Sequence, residues 1–132
     1  MRHTLKKHEI LRGKKLFDEV FTRGKYIHGN ILRCVWLSSS EIAQEDSPVL
    51  AGFVIRRTIR HAVDRNRVKR LIRESYRRHK EIIYSRIPSP TTTTLLVFLF
   101  PSSATSGFQL PKFIEVEQDV ISILQRIALR IE

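Results

Sequence analysis

The chain has 132 residues, of which 42% are hydrophobic, so it is long and apolar enough for a domain with a buried core and is not of the disordered class. Its 24 lysines and arginines against 13 acids give a net charge of +11, which favours a polyanionic partner and argues against small cationic substrates. Cys34 is the single cysteine, which excludes an internal disulfide framework and a thiolate zinc site.

The first residues carry no signal of export or membrane insertion. Residues 1–15 are basic without an apolar core, which a secretory signal would need. The longest apolar run, Leu95–Phe100, is far shorter than the ~20 residues of a spanning helix. We therefore expect a soluble, cytoplasmic protein with no membrane partner.

The amino-terminal half predicts one helix and two strands. Residues 1–13 read as a loosely ordered basic lead-in. Apolar side chains at helical spacing predict a helix over Lys14–Thr22, with Gly24 as its stop. Ile31–Leu37 and Val49–Ile55 are rich in β-branched and aromatic residues, so they predict strands that could pair as a hairpin across a polar, acidic loop.

The carboxy-terminal half predicts a long helix, a buried strand and a last helix. Ala62–Tyr84 contains neither glycine nor proline and consists largely of good helix formers. Thr93–Phe100 is the most hydrophobic segment and predicts a central strand buried on both faces. Pro111–Arg130 predicts an amphipathic helix. We expect a single α+β domain over residues 1–132, with the order α-β-β-α-β-α.

The predicted long helix has an apolar face and a cationic face. Between Arg56 and Lys80 there are eleven basic residues and two acids, Asp64 and Glu74. At about 100° per residue, one side of the helix collects Val68, Leu71, Ile72, Ser75, His79 and Ile82. The opposite side collects Asn66, Arg70, Arg73 and Arg77, with Arg65, Arg67 and Lys69 beside them.

This cationic face predicts phosphate binding. An ordinary solvated helix face alternates charges at i to i+4 and gains a few tenths of a kcal/mol for each pair, whereas like charges there cost similar amounts. A bound polyanion would compensate that cost. Asn66 lies among the cations, and its amide offers both a donor and an acceptor to a ribose hydroxyl or a base edge.

Three parts of the sequence resemble the protein component of bacterial ribonuclease P. The run from Arg65 to Glu74, RNRVKRLIRE, is similar to the family's RNR helix. FDEVF at residues 17–21, followed by Gly24, resembles its first helix and turn. GFVIRR at residues 52–57 resembles its strand with paired basic residues, although lysines are usual where this chain has arginines, and the serine-rich, acidic loop Ser38–Ser47 departs from the family pattern.

The resemblance implies an α+β sandwich with a small central sheet and a left-handed βαβ crossover, against the usual right-handed rule. It also implies a ribonucleoprotein endoribonuclease whose RNA subunit, with Mg²⁺, removes the 5′ leader of precursor tRNA. The implied partners are the catalytic RNA, on the cationic face, and precursor tRNA. The leader would lie in a cleft between the first helix and the sheet, contacted by Phe17, Phe21, Arg56 and Arg57.

Other interpretations remain open at this point. Phe17 and Phe21 lie four residues apart on one amphipathic helix and could serve the core alone. The sequence shows no catalytic constellation and no histidine or carboxylate spacing typical of a metal site, so we expect no protein-borne active site. A structural RNA-binding protein, such as a ribosomal or assembly protein, would share the charge pattern. A DNA-binding regulator is disfavoured, because no helix-turn-helix spacing is present.

Overall fold

The computed structural model describes residues 4–42, 47–56, 59, 61–87, 92–100 and 109–131. A short 3-10 helix at Lys7–Glu9 precedes the main elements. These elements are α1 (Lys14–Arg23), β1 (Lys25–His28), β2 (Arg33–Ser39), β3 (Val49–Ile55), α2 (Ala62–His79), α3 (Glu81–Tyr84), β4 (Thr93–Phe100) and α4 (Phe113–Ala128). Arg57, Pro88, Pro90 and residues 43–46 of the loop before β3 lie outside the described residues.

The four strands form one sheet in the order β1-β2-β4-β3. β2 pairs antiparallel with β1 and β4, whereas β3 pairs with β4 in parallel. The expected hairpin between β2 and β3 is therefore wrong, because β4 lies between them. β4 can take this central position because both of its faces are apolar, and seven of its eight residues are buried, as its sequence predicts. The parallel βαβ unit is present, and its left hand stays a prediction.

The sheet is covered by helices on both faces, as expected of a sandwich. On one face, α2 and α4 pack on Cys34 and Trp36 of β2 and on Phe98 of β4. On the other face, α1 packs on Val35 of β2 and Val97 of β4. The sequence left open which side chains of β2 face which helix, because apolar residues occupy both phases of the strand. In the structure, the odd-numbered residues face α1.

Several boundaries agree closely with the sequence. The bounds of β3 and β4 are those predicted, and α1 extends one residue past the predicted end before Gly24. A β-carbon on Gly24 would lie 2.3 Å from the carbonyl oxygen of Val20, so the glycine permits the close approach that ends α1. The last helix begins at Phe113, two residues after the predicted Pro111.

Three features of the fold differ from the prediction. The strand β1 was not predicted, because its four residues, KYIH, contain a single buried side chain. The long helix is interrupted at Lys80, where α2 gives way to the short α3. Within the predicted lead-in, Ile10 bridges to Ala51 at the edge of β3, a contact that the sequence did not predict. Within the described residues, no helix is long and apolar enough to cross a membrane.

A buried carboxylate ties the loop between β1 and β2 to α4. Asp119 accepts hydrogen bonds from the backbone N–H groups of Asn30, Ile31 and Leu32 at 3.0, 2.6 and 2.9 Å. A β-carbon on Gly29 would approach this carboxylate to 2.7 Å, so glycine is required for the loop to close over it. The edge strand β1 is thereby held against the helical layer.

Candidate nucleic-acid interfaces

The helix α2 presents its two faces as the sequence predicts. Val68, Ile72 and Ser75 are buried beneath it, and Tyr76, which the predicted stripe omitted, is completely buried. The ring of Tyr76 lies 5.7 Å from that of Phe98 in β4. Because the apolar face is committed to the sheet, the opposite face of α2 points away from the core.

The predicted cationic face is exposed and continuous along α2. Its exposed members are Asn66, Arg67, Lys69, Arg70 and Arg73, while Arg65 and Arg77 are half-buried. The residues that line one shallow groove, the cationic groove, are Leu5, Asn66, Lys69, Arg70, Arg73, Glu74 and Arg77. Six of these seven residues belong to α2, and the seventh comes from the ordered lead-in.

Two members of the cationic face also hold neighbouring parts of the protein. Arg65 donates from Nη1 to the carbonyl oxygen of Ile59 at 2.7 Å, which attaches the connector before α2 to the helix. Arg77 donates from Nε to Glu74 Oε2 at 3.0 Å, and Arg78 lies 3.4 Å from the same carboxylate. These hydrogen bonds and charges hold the pKa of Glu74 below its ordinary value. The negative charge of Glu74 within the basic segment is thus balanced by ion pairs with these two arginines.

The rings of Phe17 and Phe21 form a stacked pair on α1. Their centroids are 6.3 Å apart and their planes 20° apart. Phe17 is half-buried against β3, where a β-carbon on Gly52 would lie 3.0 Å from its ring. Phe21 is 38% exposed. Phe17 therefore packs on the sheet, while Phe21 offers part of its ring to solvent, and leader contact by this pair stays a prediction.

Beside α1, part of the sheet face is only partly covered. One row across the strands contains Arg33 of β2, Leu99 of β4 and Val54 of β3, which share the α1 side. Arg33 is exposed, and the two apolar residues are only partly buried. Arg56, which follows β3 in the phase of Val54, is exposed as well. We call this surface, with Phe17 and Phe21, the α1 cleft.

Sequence reasoning missed two residues of the α1 cleft. Tyr26 lies opposite Val35, which packs under α1, and its side chain is 48% exposed on the same face. Arg33 lies opposite His28 in the same sheet. The pattern of β1 is too short to reveal the strand that carries Tyr26, and the face of Arg33 was undetermined because β2 is apolar in both phases. Of the four predicted leader contacts, Arg57 lies outside the described residues.

Among the described residues, no group of three or more histidine, cysteine, aspartate or glutamate side chains could hold a metal ion. His79 reaches Glu117 of α4 at 3.0 Å, so this histidine joins two helices. Cys34 is completely buried, and burial raises the pKa of its thiol well above the ordinary value. Its proton is therefore retained at neutral pH, which fits a core residue and not a nucleophile.

Comparisons with known proteins agree on one family. A model of the Ribonuclease P family matches residues 5–128. The ribonuclease P protein component of Chlorobium phaeobacteroides is 35% identical over 85 residues, which cover 63% of this chain and 58% of that protein. Its counterpart in Chlorobaculum tepidum is 36% identical over 117 residues, 84% of this chain and 76% of that protein.

The fold comparison gives the same result. The RNase P protein from Thermotoga maritima superposes with a TM-score of 0.67 over 89% of this chain and 96% of that one. The identity is 24%, so this likeness concerns the fold. It confirms the α+β architecture that the sequence predicts.

Proposed function

Because the chain belongs to the ribonuclease P protein family, we propose that it binds the catalytic RNA of that enzyme and the 5′ leader of precursor tRNA through two separate surfaces. In this assignment, the cationic face of α2 binds the RNA subunit and the α1 cleft binds the leader. The reaction is endonucleolytic removal of the leader to give the mature 5′ end.

The observation that carries the proposal is the one-sided charge of α2. Within four turns, the exposed side carries cations and Asn66, while the one acid on it, Glu74, is paired with Arg77 and Arg78. Such a face matches a row of phosphates, because each neutralised phosphate releases condensed counterions and so favours binding. Contacts of this kind fix orientation and register without reading sequence.

The α1 cleft suits a single strand of variable sequence. Aromatic faces stack on any base and contribute about 1–3 kcal/mol for each one. The exposed ring of Phe21 and the ring of Tyr26 lie on the α1 side of the sheet, and Arg33 and Arg56 supply charge for the backbone. A protein that must accept many precursors needs this tolerance.

We assign the cleavage chemistry, and the Mg²⁺ that assists it, to the RNA subunit. The described residues do not fit a protein-borne Mg²⁺ site, since they contain no suitable cluster of acidic or histidine ligands. What this chain contributes is binding and orientation. A structural ribosomal or assembly protein, which the charge pattern alone would allow, is not favoured by the family match.

Reconstitution tests the proposed function. Adding the protein to the cognate RNA subunit should raise the rate of precursor tRNA cleavage at low Mg²⁺, because the cationic face replaces counterions that the RNA would otherwise require. The protein alone should cleave nothing. A cleavage rate that does not change when the protein is added would contradict the proposal.

A further inference from the structure

A buried charged cluster joins the start of the chain to the junction of α2 and α3. Glu9 and Lys80 are each 5% exposed, and Lys80 Nζ lies 2.6 Å from Glu9 Oε1. Tyr84 donates its hydroxyl proton to the same oxygen at 2.6 Å, and the N–H of Lys6 donates to Glu9 Oε2 at 2.8 Å. Lys80 also donates to the carbonyl oxygen of Thr4. We call Glu9, Lys80 and Tyr84 the clasp.

Burial of the charged groups of the clasp costs free energy. Two charges withdrawn from water are tolerated only when their geometry and additional hydrogen bonds compensate the lost hydration, and removal of one partner leaves the other uncompensated. An apolar contact could have closed the same gap. The clasp instead holds a specific conformation of residues 4–12, which we call the N-terminal strap.

The N-terminal strap runs along the open edge of β3 and reaches both candidate surfaces. At its start, Leu5 lines the cationic groove beside the arginines of α2. At its end, the N–H of Leu11 donates to the carbonyl oxygen of Ala51 at 2.9 Å, and Leu11 is buried on the α1 side of the sheet. The clasp lies between these two points. The strap also carries the exposed cations Lys6 and Lys7.

We propose that Glu9, Lys80 and Tyr84 are positioning residues for RNA binding, because their clasp fixes the N-terminal strap as the second wall of the cationic groove. The inference rests on the proposed function, since it takes the RNA subunit as the occupant of that groove. With the strap released, the face of α2 keeps all its charges but loses the wall at Leu5, and the RNA must then order the strap on binding.

The direction in which RNA affinity changes on removal of the Glu9 charge distinguishes a positioning role from a purely electrostatic one. Glu9→Gln removes a negative charge, which by electrostatics alone would strengthen binding to RNA. The inference predicts the opposite, a loss of affinity for the cognate RNA subunit of about tenfold, the scale of ordering a few side chains. Glu41→Gln is the matched control, because it removes an exposed carboxylate paired with Arg23, away from the groove. It should leave affinity unchanged or slightly higher.

Tyr84→Phe supplies a second variant that keeps every charge and removes the hydrogen bonds that the Tyr84 hydroxyl makes with Glu9 and with Ser47. Hydrogen exchange of each free protein should show faster exchange at residues 9–11 while the amides of β4 stay protected, which shows that the core is intact. If Glu9→Gln also exposes β4, Tyr84→Phe decides the question with a smaller loss of the same direction.

Two outcomes would overturn the inference. Faster exchange in the strap with unchanged RNA affinity would show that the clasp serves stability alone. Tighter binding by Glu9→Gln would show that charge, and not position, matters there. Failure of the unaltered protein to bind the RNA subunit would instead overturn the proposed function, and the inference with it.

Discussion

At the scale of the residue, Phe17 and Phe21 differ in how much each ring contributes to packing of the core. Phe17 packs on the backbone of Gly52, so its replacement would damage α1 packing together with any contact to RNA. Phe21 is an exposed side chain, and its loss should leave the core largely intact. Phe21 is therefore the residue at which stacking can be tested without unfolding.

Phe21→Ala should weaken binding of precursor tRNA to the reconstituted enzyme by about tenfold and leave mature tRNA binding nearly unchanged, because only the precursor has a leader to stack. Equilibrium binding of both RNAs measures the difference. Ile114→Ala is the matched control, since Ile114 is an exposed apolar side chain on α4. Equal losses for the two RNAs would contradict leader stacking.

At the scale of the element, α2 combines an apolar face that the core requires with a charge pattern that the core does not impose. Val68, Ile72 and Tyr76 hold it on the sheet. The exposed arginines on the other side, Arg70 and Arg73, add nothing to that packing, and like charges one turn apart are mildly unfavourable for the helix. Their presence is explained by what binds there.

Replacing Arg70 or Arg73 with alanine should lower affinity for the RNA subunit and flatten its dependence on salt. Each lost phosphate contact should reduce the slope of log K against log salt by about 1. Arg130→Ala is the control, because Arg130 is an exposed cation that lines a different part of the surface, with Trp36. If the salt slope stays the same in the α2 variants, this face is an ordinary solvated surface and does not bind phosphates.

At the scale of the whole molecule, the sheet separates the two candidate interfaces, and the N-terminal strap crosses its edge between them. The clasp that holds the strap depends on the ionised form of Glu9. Burial raises the pKa of Glu9, but the hydrogen bonds from Lys6, Lys80 and Tyr84 outweigh it, so the pKa lies below the ordinary value of 4.5.

A group with a lowered folded-state pKa contributes stability that is present above its unfolded pKa and is lost as pH falls through the folded value. The free energy of unfolding should therefore fall from about pH 5 to about pH 3 by less in Glu9→Gln than in the unaltered protein. Tyr84→Phe, which removes one of the bonds that lower this pKa, should show an intermediate loss. Urea unfolding at each pH measures it, and identical losses in all three proteins would contradict a stabilising clasp.

The sequence by itself determined the features that depend on local pattern. The bounds of β3 and β4 follow from continuous runs of apolar and β-branched residues, whereas α1 and the two faces of α2 follow from side chains that repeat at the period of a helix. The cationic face was complete in sequence because its residues lie within four turns of one helix. Charge that is close along the chain stays close in space.

Only the tertiary structure decided what depends on distant partners. The place of β4 between β2 and β3 reflects competition among strands for one apolar neighbour, which no local period records. The phase of β2 that faces α1, and with it the floor of the α1 cleft, follows from that pairing. The position of the strap also depends on a distant partner, since Lys80 finds its counterion in Glu9, 71 residues away. A buried ion pair between residues this far apart exists only once the fold has brought them together, so local sequence carries no sign of it.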